Sequence, residues 1–307
     1  MRSTAIIFLQ LFVYAGISPF ISGLITVIKN NIRMRKGQSV LQPYYNLAKL
    51  FSKGEVVSET ASWIFRAAPF IVLVSSLAAA LLVPVFFSAS PARMMGDFLA
   101  LMFVFALGRF FLALAALDTG SSFGGMGASR EMFISSLVEP ALCLVIFSVA
   151  LQSGSTDIAA CAGSHPVSIA SLVAGIALIL VTIAETARIP VDNQETHLEL
   201  TMVHEAMVLE YSGRPLALIE MASYIKQMIW FLLIARIIFP VAVPPSGSSA
   251  QVCVWGLWYA ARIGIIAAIT ALVEVSVAKM RLFRVADFLG FAFVLGVVAA
   301  ICAILGV

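Results

Sequence analysis

The sequence predicts an all-α fold, a polytopic transmembrane helix bundle, on three observations. The 307 residues have a mean hydropathy of +1.03 and are 61% hydrophobic. Charged residues make up only 11% of the chain, against about 25% in soluble domains. Apolar runs long enough to cross a bilayer recur from end to end, and most basic residues fall between alternate runs. One integral-membrane domain over residues 1–307 is expected, without an internal repeat.

Eight spanning helices are expected, at roughly 5–28, 67–89, 97–117, 132–152, 167–187, 216–239, 251–277 and 285–305. Pro19 and Pro140 are expected to kink the first and fourth. No cleavable leader is expected, since only Arg2 precedes the first run and no small-residue cleavage site stands out. In the first connection, Leu41, Tyr44, Leu47, Leu50 and Phe51 recur at helical spacing. That predicts a short helix along the membrane or under a partner. The third connection, LDTGSSFGGMGASRE, reads as a tight turn holding Asp118, Arg130 and Glu131 near the membrane face. Its glycines lack the GK[ST] and the preceding strand of a phosphate-binding loop. The sixth connection, 240–250, is uncharged and reads as a plain surface loop.

Lys and Arg set the orientation. The odd connections carry 13 basic residues, among them Lys29, Arg33, Arg35, Lys36, Arg188 and Lys279; the even ones carry only Arg93. The odd connections are therefore read as cytoplasmic, with both termini outside a multi-pass protein of the cell (inner, cytoplasmic) membrane.

The fifth connection stands out. Residues 185–213 hold six of the chain's 16 carboxylates: Glu185, Asp192, Glu195, Glu199, Glu205 and Glu210. Pro190 breaks any helix entering from the apolar side. From Asp192 the chain reads as a surface helix, capped by Asp192 or Asn193. On it Glu195, Glu199 and Glu210 share one face, either a solvated acidic stripe or one met by a partner.

Charges inside the apolar runs are the second signal. Arg109, Glu139, Lys226 and Arg262 fall well within helices; Glu185, Glu220 and Glu274 fall near cytoplasmic ends, where they can snorkel. A deep charge is costly unless it is paired or wetted. Both signs at depth suit a proton relay, with ion pairs that only fix helix packing as the alternative. Net charge is +3, too small to point to nucleic acid. The cysteines Cys143, Cys161, Cys253 and Cys302 form no CxxC pair, so no iron–sulfur cluster or structural zinc is expected on this chain.

Three cytoplasmic segments and a weaker fourth carry a resemblance. They are RMRKGQSVLQPYYNLAKLFSK; LDTGSSFGGMGASRE with LVEP following; ETARIPVDNQETHLELTMVHEAMVLEYSG; and LVEVSVAKMRL. The chain resembles the subunit joining the membrane and redox arms of respiratory complex I (NADH dehydrogenase subunit 1). It is more similar still to the membrane subunit of group 4 nickel–iron hydrogenases, the formate hydrogenlyase type. The likeness runs from about Pro19 to Arg284. Departures are Val191 where Phe is usual, His197 for the middle Glu, and about three extra residues between Leu200 and Glu210. These weigh against a quinone chamber.

The resemblance implies a non-catalytic membrane-anchor and coupling subunit of an energy-converting hydrogenase-like oxidoreductase complex. It places Glu139, Glu185, Arg188, Asp192, Glu195, Glu199, Glu210 and Glu274 on the route between redox arm and proton path; Lys226 joins them by its depth. Arg33, Arg35, Asp118, Arg130 and Glu131 are expected at a partner interface. Expected partners are hydrogenase large and small subunits, an iron–sulfur protein and antiporter-like membrane subunits. The nickel–iron centre and iron–sulfur clusters belong to those partners, with no cofactor on this chain. A quinone-site subunit of a complex I-like NADH or ferredoxin dehydrogenase is the alternative. A stand-alone secondary transporter is the rival from another class, but neither an inverted repeat nor paired broken helices are evident.

Overall fold

The apolar runs fold as helices because a bilayer leaves no other way to satisfy backbone N–H and C=O groups. The computed structural model describes residues 2–83, 97–161, 168–192, 202–239 and 249–306. Eleven helices cover them: α1 (Arg2–Ile32), α2 (Gln42–Ser52), α3 (Trp63–Leu82), α4 (Phe98–Asp118), α5 (Ser122–Ser153), α6 (Ile158–Cys161), α7 (Ile169–Glu185), α8 (His204–Val208), α9 (Gly213–Ile238), α10 (Ser249–Ser276) and α11 (Leu282–Leu305). Among the described residues, Asp97 and Asp157 make an isolated bridge and no strand forms.

Among the described residues, seven helices are long and apolar enough to cross a membrane: α1, α3, α4, α5, α9, α10 and α11. The eighth expected span, α7, has 17 residues, or about 25 Å of rise. α9 is the axis of the bundle, with every residue from Gln227 to Ile237 buried. α3, α7, α1 and α10 pack around it; α5 packs on α4, α7 and α11. The expected short amphipathic helix forms as α2, with Pro43 in its first turn and Leu47 buried, and it rests against α1 and α9. Pro19 and Pro140 lie inside continuous helices.

Two expectations are corrected. The third connection is not a turn around Asp118, Arg130 and Glu131. It shrinks to Thr119–Ser121, and the glycine-rich stretch is the first two turns and more of α5. Ser121 caps it by accepting from Gly124 N. Glycine is a poor helix former, but packing decides here. A methyl at Gly127 would stand 2.9 Å from Ala206 Cβ, so only glycine lets α8 lie this close. Glu139 is consequently 17 residues from the start of α5, about 26 Å along it. The acidic stretch also differs. Among the described residues, 202–203 and 209–212 are not helical and only the five-residue α8 lies between them, so Glu210 does not sit on one continuous surface helix. Glu195 and Glu199 lie outside the described residues, as do Asn193 and 240–248 of the sixth connection.

The ends of α1, α4, α7 and α10, the starts of α3, α5, α9 and α11, and α2 and α8 share one end of the bundle. It is called the basic end below, after the Lys and Arg in its connections.

Candidate functional site

Charges from four helices form a chain. Arg109 on α4 lies 3.1 Å from Glu185 at the end of α7 and 3.8 Å from Glu139 on α5. Lys226 on α9 lies 2.7 Å from the other oxygen of Glu185. Glu185 is 2% exposed, so it does not snorkel; two cations hold it inside. Glu139 differs. Its side chain is 41% exposed on the outer face of α5, at mid-helix depth.

This chain borders a cavity of about 80 Å³, room for several waters. Arg109, Glu185 and Lys226 line it with Glu131, Arg188 and His204, and Ser75, Ser76, Tyr224 and Gln227 add hydroxyl and amide groups. Arg109 Nε and Gln227 Nε2 are buried without a hydrogen-bond partner among the described residues. Such groups are satisfied where water reaches them.

A second network sits beside it at the basic end. Glu274, near the end of α10 and 5% exposed, bridges Lys29 of α1 at 3.3 Å and Arg188 at 2.5 Å. It does not snorkel either. Arg188 also donates to Gln227 Oε1 at 3.0 Å. Asp192 is 1% exposed and pairs with Lys279 at 2.7 Å. Its other oxygen accepts from Val203 N and His204 N, so it caps α8 from eleven residues upstream. Met280 N donates to Pro190 O at 2.8 Å. The start of the acidic connection is thus clasped to the α10–α11 connection.

The EYSG segment is a further clasp. Tyr211 stacks on Phe65 with ring centroids 4.1 Å apart and donates its hydroxyl to Phe65 O. Burial pushes the Tyr211 phenol up, so it donates as the neutral group. Ser212 Oγ accepts from Val56 N and donates to Val56 O. Gly213 has φ +56°, and a Cβ there would stand 2.3 Å from Gly54 O.

Of the residues singled out from the sequence, Glu139, Glu185 and Lys226 meet around Arg109, while Arg188, Asp192 and Glu274 meet in the clasp. Glu210 is exposed beyond the end of α8 and joins neither. Asp118 accepts from Ser62 N at 2.7 Å and Arg130 donates to Met202 O at 3.0 Å, so both hold the chain itself. Glu131 turns to the cavity, whereas Arg35 is exposed. Arg262 donates to Phe239 O and sits among Trp258, Tyr259 and Phe239, where it caps the end of α9. Sequence reasoning missed Lys29, Lys279 and Gln227 as partners. Lys279 stood in the fourth family segment, and Gln227 was visible as a polar neighbour of Lys226 in an apolar run.

A family model described as NADH dehydrogenase matches residues 4–305. Formate hydrogenlyase subunit 4 of Escherichia coli (strain K12) is 31% identical over 284 residues, spanning 89% of this chain and 90% of that one. Hydrogenase-4 component C of the same organism is 35% identical over 232 residues, spanning 73% and 71%. The fold is that of a subunit in the solved membrane-bound sulfane sulfur reductase, an archaeal respiratory membrane complex. There the TM-score is 0.81 at 19% identity, over 99% of this chain and 100% of that one.

Proposed function

The chain belongs to the NADH dehydrogenase family, and from that premise we propose that it is a membrane-anchor and coupling subunit of an energy-converting, hydrogenase-like complex. It seats a peripheral nickel–iron and iron–sulfur module on its basic end, in the cytoplasm, and joins that module to ion translocation. The two relatives with hydrogenlyase and hydrogenase names support the choice of complex.

One observation carries the coupling part: a cavity with room for water, lined by paired charges of both signs, inside an apolar bundle. Buried ion pairs are expensive to build, and a proton path is a use that needs both the charges and the water. This reading assigns electron transfer to the partners, since the sequence holds no CxxC pair for a cluster. Redox turnover there changes the charge at the basic end. The ion-pair chain answers by a shift in protonation.

The assembly is tested by purification in mild detergent through this chain. A nickel–iron hydrogenase-like subunit and an iron–sulfur subunit should be retained. An isolated monomer that carries solute on its own would refute the reading. Orientation is tested by cysteine labelling in intact cells. Thr156→Cys should label from outside and Gln38→Cys should not; the reverse pattern overturns the topology.

A further inference from the structure

The charges around the cavity are not chemically equivalent. Arg109 keeps its proton in any protein setting. Glu185 is matched twice, by Arg109 at 3.1 Å and Lys226 at 2.7 Å. Removing its charge would strand two cations in the interior. Lys226 has neither restriction. It lines the cavity, its side chain is 21% exposed, and the Phe105 ring centroid lies 5.8 Å from Nζ. When its ammonium gives up a proton, Arg109 still balances Glu185, and no charge is left alone.

We infer that Lys226 is the member of the ion-pair chain that exchanges protons with the cavity, with Arg109–Glu185 as a fixed pair that stays ionised throughout. The inference rests on the coupling reading above and deepens it. The proton leaves Nζ for cavity water and leaves a neutral amine; a proton arriving from the basic end restores the ammonium. The titratable and charged groups around that cavity are Arg109 from α4, Glu131 from α5, Glu185 from α7, Arg188 after it, His204 from α8 and Tyr224 from α9. Among them Glu131 and His204 are the groups able to pass a proton on to Lys226 through water.

The test uses inverted vesicles holding the assembled complex, with hydrogen evolution driven by reduced methyl viologen. Lys226→Arg keeps a cation beside Glu185 but holds its proton. Proton transfer per assembled complex should fall at least tenfold. Lys226→His places a group of ordinary pKa roughly 6.5 at the site. Transfer should return, with its pH profile moved to lower pH. Wild-type transfer in Lys226→Arg overturns the assignment. So does a wild-type pH profile in Lys226→His, or a His variant as inert as the Arg variant. Should Lys226→Arg not assemble, the His profile decides alone. Glu139→Gln in the same vesicles separates the two levels. If it loses transfer while Lys226→Arg keeps it, only the lysine assignment falls. If all three variants transfer as wild type, the coupling reading falls as well.

Discussion

Two ion-pair networks stand side by side in this bundle and use the same chemistry in different settings. Arg109, Glu139, Glu185 and Lys226 belong to helices that border a cavity with room for water. Lys29, Glu274, Asp192 and Lys279 do not line that cavity, and backbone hydrogen bonds reinforce their contacts at Val203, His204 and Met280. Arg188 is the residue common to both, facing the cavity and holding Glu274. A buried pair closed off by backbone contacts fixes geometry; a pair beside water is placed to change its protonation. Burial and pairing alone therefore do not mark a coupling residue, and access to water separates the two uses.

If the closed network is structural, breaking it must cost stability first. Glu274→Ala leaves Lys29 and Arg188 without their shared anion and should remove about 3–5 kcal/mol. A thermal melt in detergent and a native gel should show a lower midpoint and less assembled complex. Unchanged assembly would dissolve the distinction. A smaller effect is expected from Gly127→Val, which drives a side chain into Ala206 and Val203 O where α8 closes the basic end. Overpacking of this kind costs about 1–3 kcal/mol, and proteolysis of the 202–212 segment should speed up while the remaining helices stay protected. The smallest effect belongs to Tyr211→Phe, which keeps the stack on Phe65 and loses one hydrogen bond, about 1 kcal/mol. Its melt should move by a few degrees at most, with coupling per complex unchanged. Lost coupling there would mean that EYSG does more than hold the first connection.

The helices were legible because period and length in an apolar chain leave few alternatives. α2, the deep charges Arg109, Glu139 and Lys226, and the family segments were visible for the same reason: polar residues are conspicuous in an oily sequence. The partners were not. Glu274 reaches Lys29, 245 positions away, and a short-range reading could only offer it to the membrane surface as a snorkelling side chain. The sequence offers Asp192 or Asn193 as a cap for a helix that follows directly, whereas Asp192 caps a helix that begins at His204, and nothing local encodes that reach. The glycine-rich third connection misled for a related reason. Intrinsic propensity predicts a turn, and the close approach of α8 makes it helix. Motif reading also joined two tasks in one run. In ExxRxP…EYSG, Glu185 belongs to the cavity, Arg188 spans both networks, and Tyr211, Ser212 and Gly213 hold the first connection in place.

If the network beside the cavity carries protons, Glu139→Gln must interrupt the transfer. Glu139 is the outermost member, 3.8 Å from Arg109 and 41% exposed at mid-helix depth. Glutamine keeps its shape and hydrogen bonding and cannot titrate. Assembly by native gel and proton transfer in inverted vesicles are measured on one preparation. Assembly should be wild type, with proton transfer per complex reduced at least tenfold. Reduced assembly with normal transfer per complex would take Glu139 out of the proton path and make it part of a structural ion pair.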